Sequence, residues 1–141
     1  MQNLKAAVEW GVMGVLLALS IWALAVAMAR WHHLRRVDVR TYTSRVRLET
    51  ELTAGIGVIG SVAANAPYIG LLGTVLGIML TFDALGQAGD LDVKTIMTGL
   101  TLALKATAAG IAVAIPCVAL NNALRRRVRE RLAEFDEARG R

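Results

Sequence analysis

The stretch "APYIGLLGTVLGI", Ala66 to Ile78, lies inside an uncharged run that extends from Leu52 to Phe82. It is apolar enough for a bilayer, yet it carries Pro67, Gly70, Gly73, Thr74 and Gly77 where better helix formers would be expected. In lipid, helices are not driven together by hydrophobicity, because the surrounding tails are equally apolar. They associate through close packing of small residues and through buried hydrogen bonds. Read this way, Pro67 and the glycines narrow one helix face for a close neighbour, and Gly73-x-x-x-Gly77 is a small-xxx-small pair. A second run repeats the device as Ala106-x-x-x-Gly110-x-x-x-Ala114.

The rest of the chain fits a membrane reading. Of 141 residues, 55% are apolar and 19% charged, and the charges collect in blocks instead of being spread along amphipathic elements. Trp10 to Ala29 is twenty residues without a charge, about 30 Å as a helix and enough to cross a bilayer, with Trp10 and Trp31 placed for the two interfacial belts. The Leu52–Phe82 run, 31 residues, exceeds one span, so the helix tilts or its first part lies in protein or at the interface. The third run, Thr95 to Leu124, is broken only by Lys105. The expectation is an all-α membrane protein forming one domain over 1–141. Its spans are near 10–29, 62–85 and 95–122, and its cytoplasmic helical segments are 30–60 and 123–141.

Arg30, Arg35, Arg36, Arg40, Arg45 and Arg47 flank one side of these runs, and Arg125, Arg126, Arg127, Arg129 and Arg131 another. The Gly86–Lys94 hairpin is short and net acidic. The positive-inside rule then puts the arginine-rich segments in the cytoplasm and the N-terminus and hairpin on the opposite side. Leu124, Val128, Leu132 and Phe135 form one stripe of an amphipathic continuation of the third span. Its arginines are expected to form a solvated or headgroup-facing surface, without a specific binding role.

Several other readings lose on context. The net charge of +5 suggests nucleic acid, but the basic residues sit at span ends and no recognition motif accompanies them. "ALAVAMAR" offers a signal-peptidase-like site ending at Ala29. The apolar stretch before it is longer than an h-region, Glu9 dilutes the basic start, and an Arg/His-rich segment follows. "GIGVIG", Gly55 to Gly60, matches a dinucleotide fingerprint but has no strand before it and no βαβ alternation after it. His32 and His33 point about 100° apart on a helix and cannot easily share a metal. The lone Cys117 reads as a small buried apolar residue. No enzymatic constellation, metal site or cofactor is expected.

The polar residues left inside the spans carry the functional reading. On a helix Gly70, Thr74, Gly77 and Thr81 share one face to within about 60°. Thr74 lies 16 residues before the hairpin centre near residue 90 and Thr107 17 after it, so antiparallel neighbours hold the two threonines at similar depth. For each hydroxyl alone, a bond to its own i−4 carbonyl is the competing account. Lys105 shares a face with Thr98 and Thr101, nearly opposite Thr107. A charge at that depth costs at least ~2.5–3.5 kcal/mol. Asp83 is about 12 Å off in depth, so Lys105 is expected to face a protein-lined polar cavity or an acid from another chain.

"SVAANAPYIGLLGTVLGIMLTF", Ser61 to Phe82, and "LALKATAAGIAVAIPCVALNN", Leu102 to Asn122, closely resemble the MotA/TolQ/ExbB family of proton channels, and the chain length fits its compact ExbB type. The resemblance implies a homo-oligomer, a pentamer, in the bacterial inner membrane around the single spans of an ExbD-type partner. It implies use of the proton motive force to energise a TonB-type protein for outer-membrane uptake. It also implies that the family's pore-facing threonines fall on Thr74 and Thr107, while the essential aspartate belongs to the partner. Thr81 and Lys105 complete the polar set expected along the proton pathway. Longer relatives carry a glutamate five residues before the second threonine. Here that position is Leu102 and Lys105 appears instead, which suggests a counter-charge for a partner carboxylate. A TolQ-like energiser of the Tol-Pal envelope system and a non-conducting membrane scaffold stay open as alternatives.

Overall fold

The computed structural model describes residues 2–89 and 92–140, with Gln2 and Ala88 given by their backbone alone. Four helices account for nearly all of it: α1 (Gln2–Arg36), α2 (Arg45–Thr53), α3 (Ile56–Ala88) and α4 (Val93–Ala138). A short 3₁₀ turn, Val39–Thr41, stands between α1 and α2. Three of the helices, α1, α3 and α4, are long and apolar enough to cross a membrane. The centre of the expected hairpin, residues 90 and 91, lies outside the described residues.

Each boundary has a local cause. His33, Arg35 and Arg36 occupy the last turn of α1, where cations complement the helix dipole. Asp38 then accepts a hydrogen bond from the Arg40 backbone nitrogen at 3.0 Å and starts the 3₁₀ turn. The long uncharged run is cut near its start: α2 ends at Thr53, and Gly55 adopts φ +77°, a left-handed conformation that favours glycine. This break settles the surplus length of the run. Ile56, Ile59, Val62 and Ala63, the first turns of α3, are buried in protein together with Leu48 and Leu52 of α2. The fingerprint-like glycines are thereby explained as well. Gly55 makes the turn, Gly57 and Gly60 lie inside α3, and no strand occurs among the described residues. At the far end Asp92 caps α4 by accepting from the Lys94 nitrogen at 3.1 Å and the Thr95 hydroxyl at 2.7 Å.

The helices pack in two different ways. Near the arginine-rich ends, Leu34, Leu48, Leu52, Ile59, Val128 and Phe135 belong to one cluster of buried aliphatic and aromatic side chains. Burying each of these stabilises the fold by about 1.5–3 kcal/mol. The α4 stripe of Leu124, Val128, Leu132 and Phe135 faces this core as expected. The arginines do more than coat a surface. Arg131 donates to the carbonyls of Leu34 at 2.9 Å and Arg35 at 3.3 Å, partnering the free carbonyls at the end of α1. Arg139 donates to the Tyr42 carbonyl, and Arg45 pairs with Asp136 at 3.2 Å. Trp31 has the guanidinium groups of Arg35 and Arg127 over its ring at 5.5 and 5.4 Å. Arg125, Arg126, Arg127 and Arg129 are exposed, in keeping with a solvated or headgroup-facing surface, and Arg131 departs from it because the C-terminal end of α1 needs hydrogen-bond donors.

In the apolar half, α3 and α4 form an antiparallel pair with small residues between them. Gly70 meets Gly110, Gly73 and Gly77 meet Ala106 and Ala103, and Gly99 meets Thr81. Leu16 of α1, Ala66 and Ala114 form a second, smaller buried cluster at this junction.

Candidate functional site

At Gly70 and Gly110 the helices α3 and α4 meet backbone against backbone. A Cβ on Gly70 would lie 2.5 Å from the Ala106 carbonyl oxygen, and one on Gly110 would lie 2.5 Å from that of Ala66. In each glycine the hydrogen that replaces Cβ therefore points at a carbonyl of the other helix, a reciprocal Cα–H···O contact. Pro67 sits half-buried beside this crossing and lacks the N–H that would bond the Ala63 carbonyl. Gly73 touches both Ala106 and Val12 of α1, so it is the point where three helices meet.

Immediately next to the crossing the hydroxyls of Thr74 and Thr107 are hydrogen-bonded to each other. Thr74 Oγ1 also donates to the Ala103 carbonyl at 2.7 Å, while its own i−4 carbonyl, Gly70, is 3.4 Å away. Thr107 Oγ1 lies 3.4 Å from the same Gly70 carbonyl. Each hydroxyl has one proton to give. With Thr74 donating to Ala103, Thr107 donates to Thr74. In the reverse order Thr74 donates to Thr107, and Thr107 to Gly70. The distances favour the first order. The two orders interchange by rotating two hydroxyls, with no change of charge. The matched depth read from the sequence thus corresponds to a direct contact across the helix pair. The exposed Thr98 and Thr101 differ, since they bond their own i−4 carbonyls of Lys94 and Met97 at 2.9 and 2.8 Å.

The other polar residues expected in the site are placed apart from this pair. Thr81 is buried at 2% exposure against Gly99 and donates to the Gly77 carbonyl at 2.8 Å. Lys105 is exposed on the side of α4 away from α3, and no carboxylate among the described residues lies within ion-pair distance of it. Asp83 is also exposed and accepts from Gln87 Nε2 at 3.1 Å. No group of three or more metal-ligating side chains occurs among the described residues.

Two contact residues escaped the sequence reading. Gly99 and Ala103 extend the α4 stripe of Ala106, Gly110 and Ala114, and all five are buried. Their spacing of three and four residues was the available signal. Outside the spans, two shifts in proton affinity follow from local bonds. The Thr95 hydroxyl and the Lys94 nitrogen hold the Asp92 carboxyl below its ordinary range. The neighbouring Glu51 carboxylate pushes the Tyr42 phenol up.

Comparison with known proteins bears on this geometry. Residues 32–137 match the MotA/TolQ/ExbB proton channel family. The chain is 49% identical over 140 residues to the biopolymer transport protein ExbB of Aquifex aeolicus, covering 99% of this chain and 95% of that one. It is 44% identical over 133 residues to a putative biopolymer transport protein, ExbB-like 2, of Helicobacter pylori, covering 94% and 89%. Against the ExbB of Pseudomonas putida the identity is 33% over 87 residues, covering 62% of this chain and 26% of the longer relative.

Proposed function

Because the chain belongs to the MotA/TolQ/ExbB proton channel family, we propose that it is an energiser subunit that couples the proton motive force to TonB-dependent outer-membrane uptake. It is a multi-pass membrane protein with three apolar helices. In this reading it sits in the bacterial inner membrane with the N-terminus periplasmic and the C-terminus cytoplasmic. It assembles as a pentamer around the single span of an ExbD-type partner. The observation that carries the mechanism is the hydroxyl pair of Thr74 and Thr107. Two hydroxyls can bond water or a protonated carboxylate without adding fixed charge, which suits a proton relay at mid-membrane depth. The partner supplies the titrating carboxylate. Lys105, exposed on the opposite side of α4 where a charge is costly in lipid, supplies a counter-charge for a partner carboxylate on that face.

Thr107→Val keeps the shape and removes the hydroxyl. TonB-dependent uptake is expected to be lost while the complex with the partner still assembles, and normal uptake in that variant removes Thr107 from the mechanism. Lys105→Met is expected to impair uptake more than Lys105→Arg; equal, wild-type-like uptake in both ends the counter-charge role. If outer-membrane uptake is untouched by deletion of the chain but envelope integrity fails, the subunit serves a Tol-Pal-like system instead.

A further inference from the structure

Between the first turns of α1 and the α3–α4 pair lies a cavity of about 30 Å³ whose polar lining is Lys5, Glu9 and Thr81. That volume holds about two waters. Thr81 is the one buried polar side chain among the described residues. Its proton goes to the Gly77 carbonyl, so its lone pairs are left to accept. Gly99 keeps the space beside it open, since a Cβ there would collide with the Thr81 hydroxyl. A hydroxyl and a carboxylate on a cavity wall favour water over an empty space.

The cavity has two ends. At one, Lys5, Glu9, Gly99 and Leu102 are shared with a wider chamber of about 400 Å³, whose polar wall also includes Asp92, Thr95 and Thr98. At the other, the lining is Gly73 and Ala106, the neighbours in sequence of Thr74 and Thr107. From Thr81 to Thr74 is about 10 Å along the helix. Glu9 therefore stands where a polar chamber at the end of the helices narrows into a passage toward the hydroxyl pair. The charged groups that line these spaces with it are Lys5 on its own helix and Asp92 and Lys94 from α4, while α3 offers only Thr81.

We propose that Glu9 is a proton-exchanging carboxylate at the mouth of a water passage within each subunit, which leads to the level of Thr74 and Thr107. The Glu9 carboxylate takes a proton from hydronium in the chamber, leaving water and a neutral carboxylic acid. The acid gives its proton to a cavity water and returns to carboxylate. Thr81 accepts a hydrogen bond from that water and holds it in the passage. This rests on the relay reading of the threonine pair.

The test uses the complex with its single-span partner reconstituted in liposomes, with proton flux measured as a function of pH. Glu9→Gln keeps size and polarity but cannot exchange a proton. Flux is expected to fall about tenfold or more, and Glu9→Asp, which keeps an exchangeable proton, is expected to retain most of it. Wild-type flux and pH profile in Glu9→Gln, with flux abolished in Thr107→Val, overturn the passage alone. Wild-type flux in both variants overturns the relay reading and the passage with it. If Glu9→Gln fails to assemble, labelling decides. In a Cys117→Ala background, Leu102→Cys is expected to react with a charged, membrane-impermeant thiosulfonate much faster than Leu104→Cys, which faces outward on the same helix. Equal rates, or no reaction at Leu102, overturn the proposal.

Discussion

The two halves of this small protein are held together by opposite means. In the arginine-rich half, Leu48, Leu52, Ile59 and Phe135 fill a core of large side chains rimmed by ion pairs. In the apolar half, α3 and α4 meet through Gly70, Gly77, Gly99, Ala103 and Gly110, and the large side chains Leu71, Leu72, Leu104 and Ile115 point outward. The solvent explains the inversion. Where water surrounds the helices, burying large apolar groups is the main source of stability. Where lipid surrounds them, a leucine gains little by turning inward, and close backbone contact with satisfied hydroxyls does more.

Exchanging the two kinds of packing tests this division. Gly70→Val is expected to have the largest effect, because its Cβ would meet the Ala106 carbonyl at 2.5 Å, backbone that cannot step aside. The folded subunit should not be recovered in detergent, whereas Leu72→Val, on an exposed face of the same helix, should behave as wild type. Leu52→Ala, at 0% exposure, should destabilise by about 2–5 kcal/mol in a reversible denaturation measurement and leave the α3–α4 contact in place. Arg45→Ala removes the exposed pair with Asp136 and should cost at most about 1 kcal/mol, less in high salt. The smallest effect concerns Asp92. Its folded proton affinity is lowered, so its contribution is present above the ordinary carboxylate range and is lost as pH falls through the lowered value. Amide exchange at Lys94 and Thr95 should rise below about pH 4, and in Asp92→Asn it should lose that pH dependence.

The same division governs what could be read from the sequence. Charge segregation revealed the three apolar helices, and equal distance from the hairpin brought Thr74 and Thr107 together, because an antiparallel pair converts sequence distance into depth. The break at Gly55 was hidden. It falls in an uncharged run where hydropathy is blind, and its meaning lies in a backbone angle. The hydrogen bonds of Arg131 were hidden for another reason. They go to backbone carbonyls of a helix end 97 and 96 residues earlier, and a carbonyl has no sequence signature. The passage at Glu9 needs three helices at once, so no single stretch announces it.

The reciprocal glycine contact also limits how the molecule can move. If α3 slid along α4 by one turn, Gly70 would face a residue with a Cβ, and the backbones would be forced apart. Rotation of either helix would swing a side chain into the same gap. The pair is keyed, like two toothed bars that fit in one register, and it travels as a single stiff strut. If the proposed energiser role holds, its stroke is left to the softer joints, between this strut and α1 or between neighbouring copies of the proposed assembly.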